Sequence, residues 1–419
     1  MSAVTDAARF AAALAVQKAT TAWVGYARRD PMARLTLRPG RVDPYAVYRE
    51  LRAGGPLVPT RLGNWATTDH ATASAVLRDR RFGVREQGDV VPVGDGAGGL
   101  DLSFLERDPP DHTRLRRLVA PAFTPRRIAD QRARVGQVAA GLVDALAADA
   151  RRDGRADLVA GLAAPLPIAV ITDLLGVPDA DAPTFARYGT TIGTALDGVR
   201  SLRHARELMT AQHALERILA DLVARRRADP GDDLVSRLVT DGSVDERELM
   251  PLLRLLLVAG FETTVNLVGN AVRALLADRD QWDALRADPS LAAAAVEETL
   301  RHDPPVQRTG RVAHEPLELA GRPVRRGQWV VALLGAAARD PAAHPDPDRF
   351  DVRRTQVTEH LAFSAGVHYC VGAPLARLEA EAALTALAER VDLRRAGPLR
   401  YRPGTTIRGL ARLPVAVRG

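Results

Sequence analysis

From Val244 to about Asp278 apolar residues recur at helical spacing without a break. A helix over that span is roughly 35 residues, or about 50 Å at 1.5 Å per residue. Around LLRLLLVAG it is apolar on most sides, so it belongs inside a body rather than on its surface. Ser243 and Glu246 form a capping box at its start. A buried rod of this length requires other elements to surround it. Further helical periodicities lie near residues 109–120, 125–149, 160–176, 181–196, 201–227, 232–240, 279–287 and 290–302, and again from Val371 to Arg390.

The rest of the chain reads as small β portions and loops. Pro56–Asp69 alternates and turns at Gly63–Asn64, a hairpin signal. Residues 308–330 read as short strands with a turn at Arg326–Gly327, and the tail after Val391 reads likewise. Residues 86–103 form a long Gly- and Asp-rich loop, and 339–351 a Pro- and Asp-rich meander. The expectation is a mainly α fold: a helical domain with a long central helix plus small β-sheets. Residues 1–40 read as a leader and 41–419 as a single domain, since no linker or repeat divides them.

Charge invites a different reading, which fails on inspection. The formal net charge is +7, yet Lys18 is the only lysine and acidic residues are interspersed throughout. Arginine, which stays protonated, inflates the isoelectric point. No basic stripe with interleaved aromatics is present, so nucleic acid is not an expected partner. The apolar run Phe10–Val16 is too short to span a bilayer, which needs about 20 residues. It reads as a packed terminal helix or a weak amphipathic anchor. One cysteine excludes internal disulfides, CxxC zinc sites and iron–sulfur clusters. The expectation is a cytoplasmic monomer.

That cysteine, Cys370, sits in FSAGVHYCVGAPLARLE (Phe363–Glu379). A lone intracellular cysteine is most often a small buried hydrophobe. Here Gly366 and Gly372 flank it, and a helix with Pro374 in its first turn follows. Unpaired N–H groups at that helix start should favour the thiolate. A stabilised thiolate is a nucleophile or a metal ligand. Nothing marks His368 as a catalytic base, whereas a flat macrocyclic ligand explains the glycines, the thiolate and the flanking His368 and Phe363 together.

The pattern F-x-x-G-x-H-x-C-x-G-x-x-L-A, carried by Phe363, Gly366, His368, Cys370, Gly372, Leu375 and Ala376, resembles the haem-binding loop of the cytochrome P-450 monooxygenases, in the soluble bacterial, actinomycete-type branch. Ser364 stands where that family usually has a second glycine. The resemblance implies haem b (iron protoporphyrin IX) with Cys370 as iron ligand.

Other parts resemble the family in order. AGFETT (Ala259–Thr264), in the long helix, is similar to its oxygen-activating segment: Ala259 and Gly260 pass over the haem, and Glu262 and Thr263 are the acid and alcohol. Threonine bonds readily to a carbonyl one turn back, and a carboxylate beside it can deliver protons. Phe261, where bacterial relatives often have histidine, faces the substrate cavity or a neighbouring helix. Glu298 and Arg301 match the E-x-x-R pair, with Arg349 as the expected meander arginine. His112, Arg116, Arg311 and His368 match the ligands of the haem propionates, and cationic donors suit such carboxylates.

The resemblance covers roughly residues 40–415. It implies a monooxygenase inserting one atom of dioxygen into a small hydrophobic organic substrate by hydroxylation or epoxidation, in secondary metabolism. Electrons would come from NAD(P)H through a reductase and a ferredoxin, docked on Arg114, Arg117 and Arg377. The substrate walls would be the 86–103 loop, residues 181–200, Phe261 and Val306–Thr309. The alternatives are a haem-thiolate peroxygenase or isomerase, which tends to lose the acid–alcohol pair kept here, a non-catalytic haem sensor or carrier, and a cysteine hydrolase.

Overall fold

A computed structural model describes residues 3–38, 40–86, 101–178, 182–242, 244–355 and 358–418. Its spine is the central helix, Glu246–Ala277, whose side chains are buried along most of its length. By length and composition this helix could cross a membrane, but most of its apolar window lies inside the protein. Each fully buried leucine along it contributes roughly 2 kcal/mol. The expected cap Ser243 lies outside the described residues. The helix starts two residues later than expected, with the Asp245 carboxylate accepting from the Arg247 N–H at 2.8 Å.

Helices Pro165–Leu175, Ala182–Gly193, Ala292–His302 and Ala373–Arg390 pack around the spine. The helix after the cysteine also lies along Arg132–Asp153. Two of the expected helices are interrupted. The 125–149 span breaks at Gln131 into Pro125–Asp130 and Arg132–Asp153, and the 160–176 span opens with a wide π turn, Val159–Ala163. Pro165 and Pro167 follow that turn, and neither has an N–H to close an α turn behind it.

The β portions join across the sequence. A five-stranded sheet runs Val58–Pro59, Trp65–Thr67, Trp329–Ala332, Thr309–Ala313, Phe82–Gly83. Trp65–Thr67 runs parallel to Trp329–Ala332, and every other pairing in it is antiparallel. The hairpin turn falls at Gly63, whose φ of 85° suits glycine. At the other end Arg400–Tyr401 pairs with Leu410–Arg412, and Pro414–Val417 lies between Ala156–Asp157 and Leu393–Arg395. The first described residues form the helix Ala3–Tyr26. Just after it, Met32 and Leu35 are buried among Tyr45, Tyr48, Leu51 and Leu333.

The meander is tied down by buried groups. His302 meets the Asp348 carbonyl at 3.0 Å, and its pKa is pushed down to about 3, first by burial and then by the Arg339 guanidinium. His344 is likewise pushed down to about 4 by burial and then by Arg301. Both rings take up protons near pH 6.5 when unfolded and hold none there when folded. Stability is therefore lost as pH falls below about 6.5. His302→Gln, which keeps a donor for Asp348, should flatten the fall of melting temperature between pH 6.5 and 4. An unchanged slope would remove His302 from the acid response.

Candidate functional site

The cysteine loop takes its shape from two residues in the left-handed region. Gly366 has φ 68°, and a Cβ there would lie 2.3 Å from the Leu77 carbonyl oxygen. Only glycine lets the loop rest on the helix His70–Arg78. Ser364 has φ 62°, which accounts for the glycine usual in the resembling loop and costs on the order of 1 kcal/mol here. Its hydroxyl lies 3.4 Å from the Arg311 guanidinium. The Cys370 N–H donates to the Phe363 carbonyl at 2.9 Å, closing the loop. The Phe363 ring lies under the Arg377 guanidinium, 4.6 Å from its centre. Gly372 is the N-cap of the helix Ala373–Arg390, and a Cβ on it would meet nothing within 4 Å.

Cys370 is exposed to solvent at its surface, yet desolvation by the surrounding protein is the largest influence on its acidity. Burial pushes its thiol up; the N–H groups of Gly372 and Ala373 and the guanidiniums of Arg116 and Arg377 oppose this without overcoming it. The expected thiolate is thus not favoured by the helix start alone, because desolvation of the anion outweighs a few N–H dipoles. A bound cation would reverse that balance.

Beside the loop stands a cluster of cationic and imidazole groups. The His112 and His368 rings are 4.3 Å apart between centres. Both ring nitrogens of His112 are buried without a hydrogen-bond partner, and Nε2 of His368 has only the Asp108 carboxylate within reach, at 3.7 Å. His112 is pushed down to about 4 by burial, then by His368 and Arg116. Burial lowers His368, lowers Arg116, and brings Arg311 to about 10. Asp108 is the counterweight. It accepts from the Val84 N–H at 3.0 Å and lies 3.7 Å from His368, and these hold it below the usual range against burial. Asp108 was not singled out from the sequence, although it stands four residues before His112 in DPPDH. Unsatisfied donors in this number, in a place where burial costs each of them, fit a ligand bearing carboxylates. Buried imidazoles with unpaired nitrogens, the guanidiniums of Arg116 and Arg311, and an accessible sulfur together fit a haem.

The central helix opens at one stripe. Ala259 is exposed, and Gly260 and Thr263 are partly so, amid buried neighbours. The Thr263 hydroxyl donates to the Ala259 carbonyl at 2.8 Å, as its position one turn on suggests. Gly260 has a further reason to be small: a Cβ there would stand 3.2 Å from Ile171 Cδ1. Phe261 is 1% exposed within the core, so of its two expected settings it takes the neighbouring-helix one. Glu262 is buried and pairs with Arg402 at 2.8 Å, a partner with no sequence signal. Most of the proposed wall 86–103, and residues 179–181, lie outside the described residues.

Glu298 and Arg301 form a bidentate pair, at 2.7 and 2.8 Å, with under 2% of either side chain exposed. The meander arginine is a correction. Arg349 points outward toward Asp351, whereas Arg354 reaches Glu298 at 3.1 Å. The Arg349 contribution is its carbonyl, which accepts from Arg301 and Arg354. Two of the expected docking arginines are also engaged: Arg114 with Glu248 and Arg377 with Glu297. Arg117 is exposed.

The sequence pattern of the family Cytochrome P450 matches residues 66–396. Cytochrome P450 monooxygenase PikC of Streptomyces venezuelae is 44% identical over 390 residues, covering 90% of this chain and 91% of that protein. 6-Deoxyerythronolide B hydroxylase of Saccharopolyspora erythraea is 38% identical over 402 residues, covering 90% and 97%. Among solved structures, P450BioI in complex with hexadec-9Z-enoic acid ligated acyl carrier protein has a TM-score of 0.84 at 33% identity, covering 90% of this chain and 100% of that one. The chain belongs to the cytochrome P450 family, and it is a P450 monooxygenase of the bacterial type with the haem-iron chemistry of that family.

Proposed function

We propose that residues 41–419 act as one cytoplasmic unit that hydroxylates or epoxidises a hydrophobic, polyketide-type metabolite, fed with electrons by a ferredoxin and its reductase. The observation that carries the reading is an accessible cysteine in a glycine-shaped loop together with an open Ala259–Thr263 stripe on a buried helix. The names 6-deoxyerythronolide B hydroxylase and Polyketide biosynthesis cytochrome P450 PksS support the substrate class. Haem b, when bound, supplies the iron at which dioxygen is reduced. Cys370 Sγ holds that iron. His112, Arg116, Arg311 and His368 hold the propionates, and Phe363, Gly366 and Gly372 shape the thiolate side. Ala259 and Gly260, small residues of the open stripe, would leave room for the group. Thr263 Oγ holds a proton beside the site of oxygen binding, and the Glu262 carboxylate replenishes it. The exposed Arg117 is the proposed contact for an acidic ferredoxin.

The test is the Soret spectrum of the ferric protein, titrated with fatty acids, terpenoids, steroids and macrolactones. A low- to high-spin shift confined to macrolactones is expected. A shift with another class alone overturns the substrate class, and no Soret band after haem supply overturns the site. Thr263→Ala should lower the share of reducing equivalents recovered in product by about tenfold or more, with peroxide making up the difference. Coupling at the wild-type level would move proton delivery to another group.

A further inference from the structure

We propose that Arg402, on the C-terminal hairpin, is a positioning residue that fixes the Glu262 carboxylate and thereby governs proton supply to Thr263. This rests on the oxygenase reading of the central helix.

The guanidinium of Arg402 is oriented before it meets the acid. The Arg402 N–H donates to the Gly409 carbonyl at 3.0 Å, and Nε donates to the Leu410 carbonyl at 3.3 Å. With the backbone and one edge of the side chain held, Nη1 is presented to Glu262 Oε1 at 2.8 Å. The hairpin is in turn pressed against the central helix. A Cβ on Gly409 would fall 1.9 Å from Asn266 Oδ1, so the tail backbone lies directly on that side chain. One turn further, Asn270 Nδ2 donates to the Arg408 carbonyl at 3.3 Å. Glu262, Asn266 and Asn270, at i, i+4 and i+8, thus form one polar edge of the helix, and all three meet residues 402–409.

On the opposite side the carboxylate has little room. A Cβ on Gly193, at the end of the helix Ala182–Gly193, would lie 3.3 Å from Glu262 Cγ. Glu262 is confined between that helix end and Arg402. The side chain of Glu262 is 5% exposed and that of Arg402 is 19% exposed, so the arginine is the more open end of the pair. A proton arriving from solvent reaches Glu262 Oε1 as the guanidinium moves aside, and passes from there to the Thr263 hydroxyl. The guanidinium then returns to the emptied carboxylate. Arginine does not itself give up a proton near neutral pH, so its part is position and charge.

The test compares Arg402→Gln, Arg402→Lys and Glu262→Gln in the haem-loaded enzyme. The readouts are coupling of electrons to product, the solvent isotope effect on turnover, and the carboxylate band in infrared difference spectra. The band is assigned to Glu262 by its loss in Glu262→Gln. Arg402→Gln is expected to shift that band, raise the isotope effect and lower coupling by about tenfold, against roughly 100-fold when the acid itself is removed. Arg402→Lys, which restores the charge, should recover part of each. If Glu262→Gln keeps wild-type coupling, the role of Glu262 falls, and this inference with it. If Glu262→Gln uncouples while Arg402→Gln leaves the band and the isotope effect unmoved, Arg402 is a structural residue only and the oxygenase reading stands.

Discussion

Glu298→Ala should lower the unfolding free energy by about 3–5 kcal/mol, a large share of the roughly 5–15 kcal/mol that a domain has. The reason lies in what stays behind. Arg301 is fully buried, and its guanidinium also donates to the carbonyls of Ala338, Pro347 and Arg349. Arg354 adds donors to Pro345, Asp346 and Arg349. Glu298 is the anion both arginines share, and it also accepts from the Asp351 N–H. Without it, two guanidiniums remain under the surface with only neutral carbonyls. The expected result is a much lower denaturant midpoint and a poor soluble yield, with Arg354→Lys intermediate. A Glu298→Ala protein with the wild-type midpoint would show that the pair is dispensable.

Cys370→Ala should separate two readings of the lone cysteine. A packing residue replaced by alanine changes stability and nothing specific in the spectrum. An iron ligand replaced by alanine removes the red-shifted carbon monoxide band of thiolate-bound ferrous haem and with it monooxygenase turnover, because the thiolate's electron donation to iron is lost. Since Cys370 is accessible rather than packed in the core, the melting temperature of the haem-free protein should change little. The measurements are the reduced carbon monoxide difference spectrum and a thermal melt side by side. An unchanged band refutes the ligand assignment, and a lost band with an unaltered melt supports it.

What could be read from residues alone was short-range or periodic. The cysteine loop holds its pattern within fourteen consecutive positions, Phe363 to Ala376, and the central helix announces itself by period. The bond from Thr263 to Ala259 follows from helix geometry. Long-range choices were not legible. Arg349 and Arg354 are both near the meander, and which one turns inward depends on where the carbonyls of Pro345 and Asp346 point. Arg402 lies far from Glu262 in sequence and belongs to no motif. At Cys370 the N–H groups that favour a thiolate are local and visible in sequence, whereas the burial that outweighs them is a property of the whole fold. The same holds for Arg114 and Arg377, expected on a docking face: their acids, Glu248 and Glu297, come from other helices.

The parallel pairing of Ala66 with Val331 has a consequence for how the chain is made. Some 265 residues separate the two partners. At the roughly 5–20 residues per second of synthesis, the first hairpin leaves the ribosome a quarter of a minute to nearly a minute before its neighbour exists. During that interval Trp65–Thr67 offers an unpaired edge with an apolar side, the kind of surface that recruits other chains or a holding chaperone. The amino-terminal strands therefore wait for their neighbour. They are a receptacle, closed late, and slower translation through the middle of the message would lengthen the time for which it stands open.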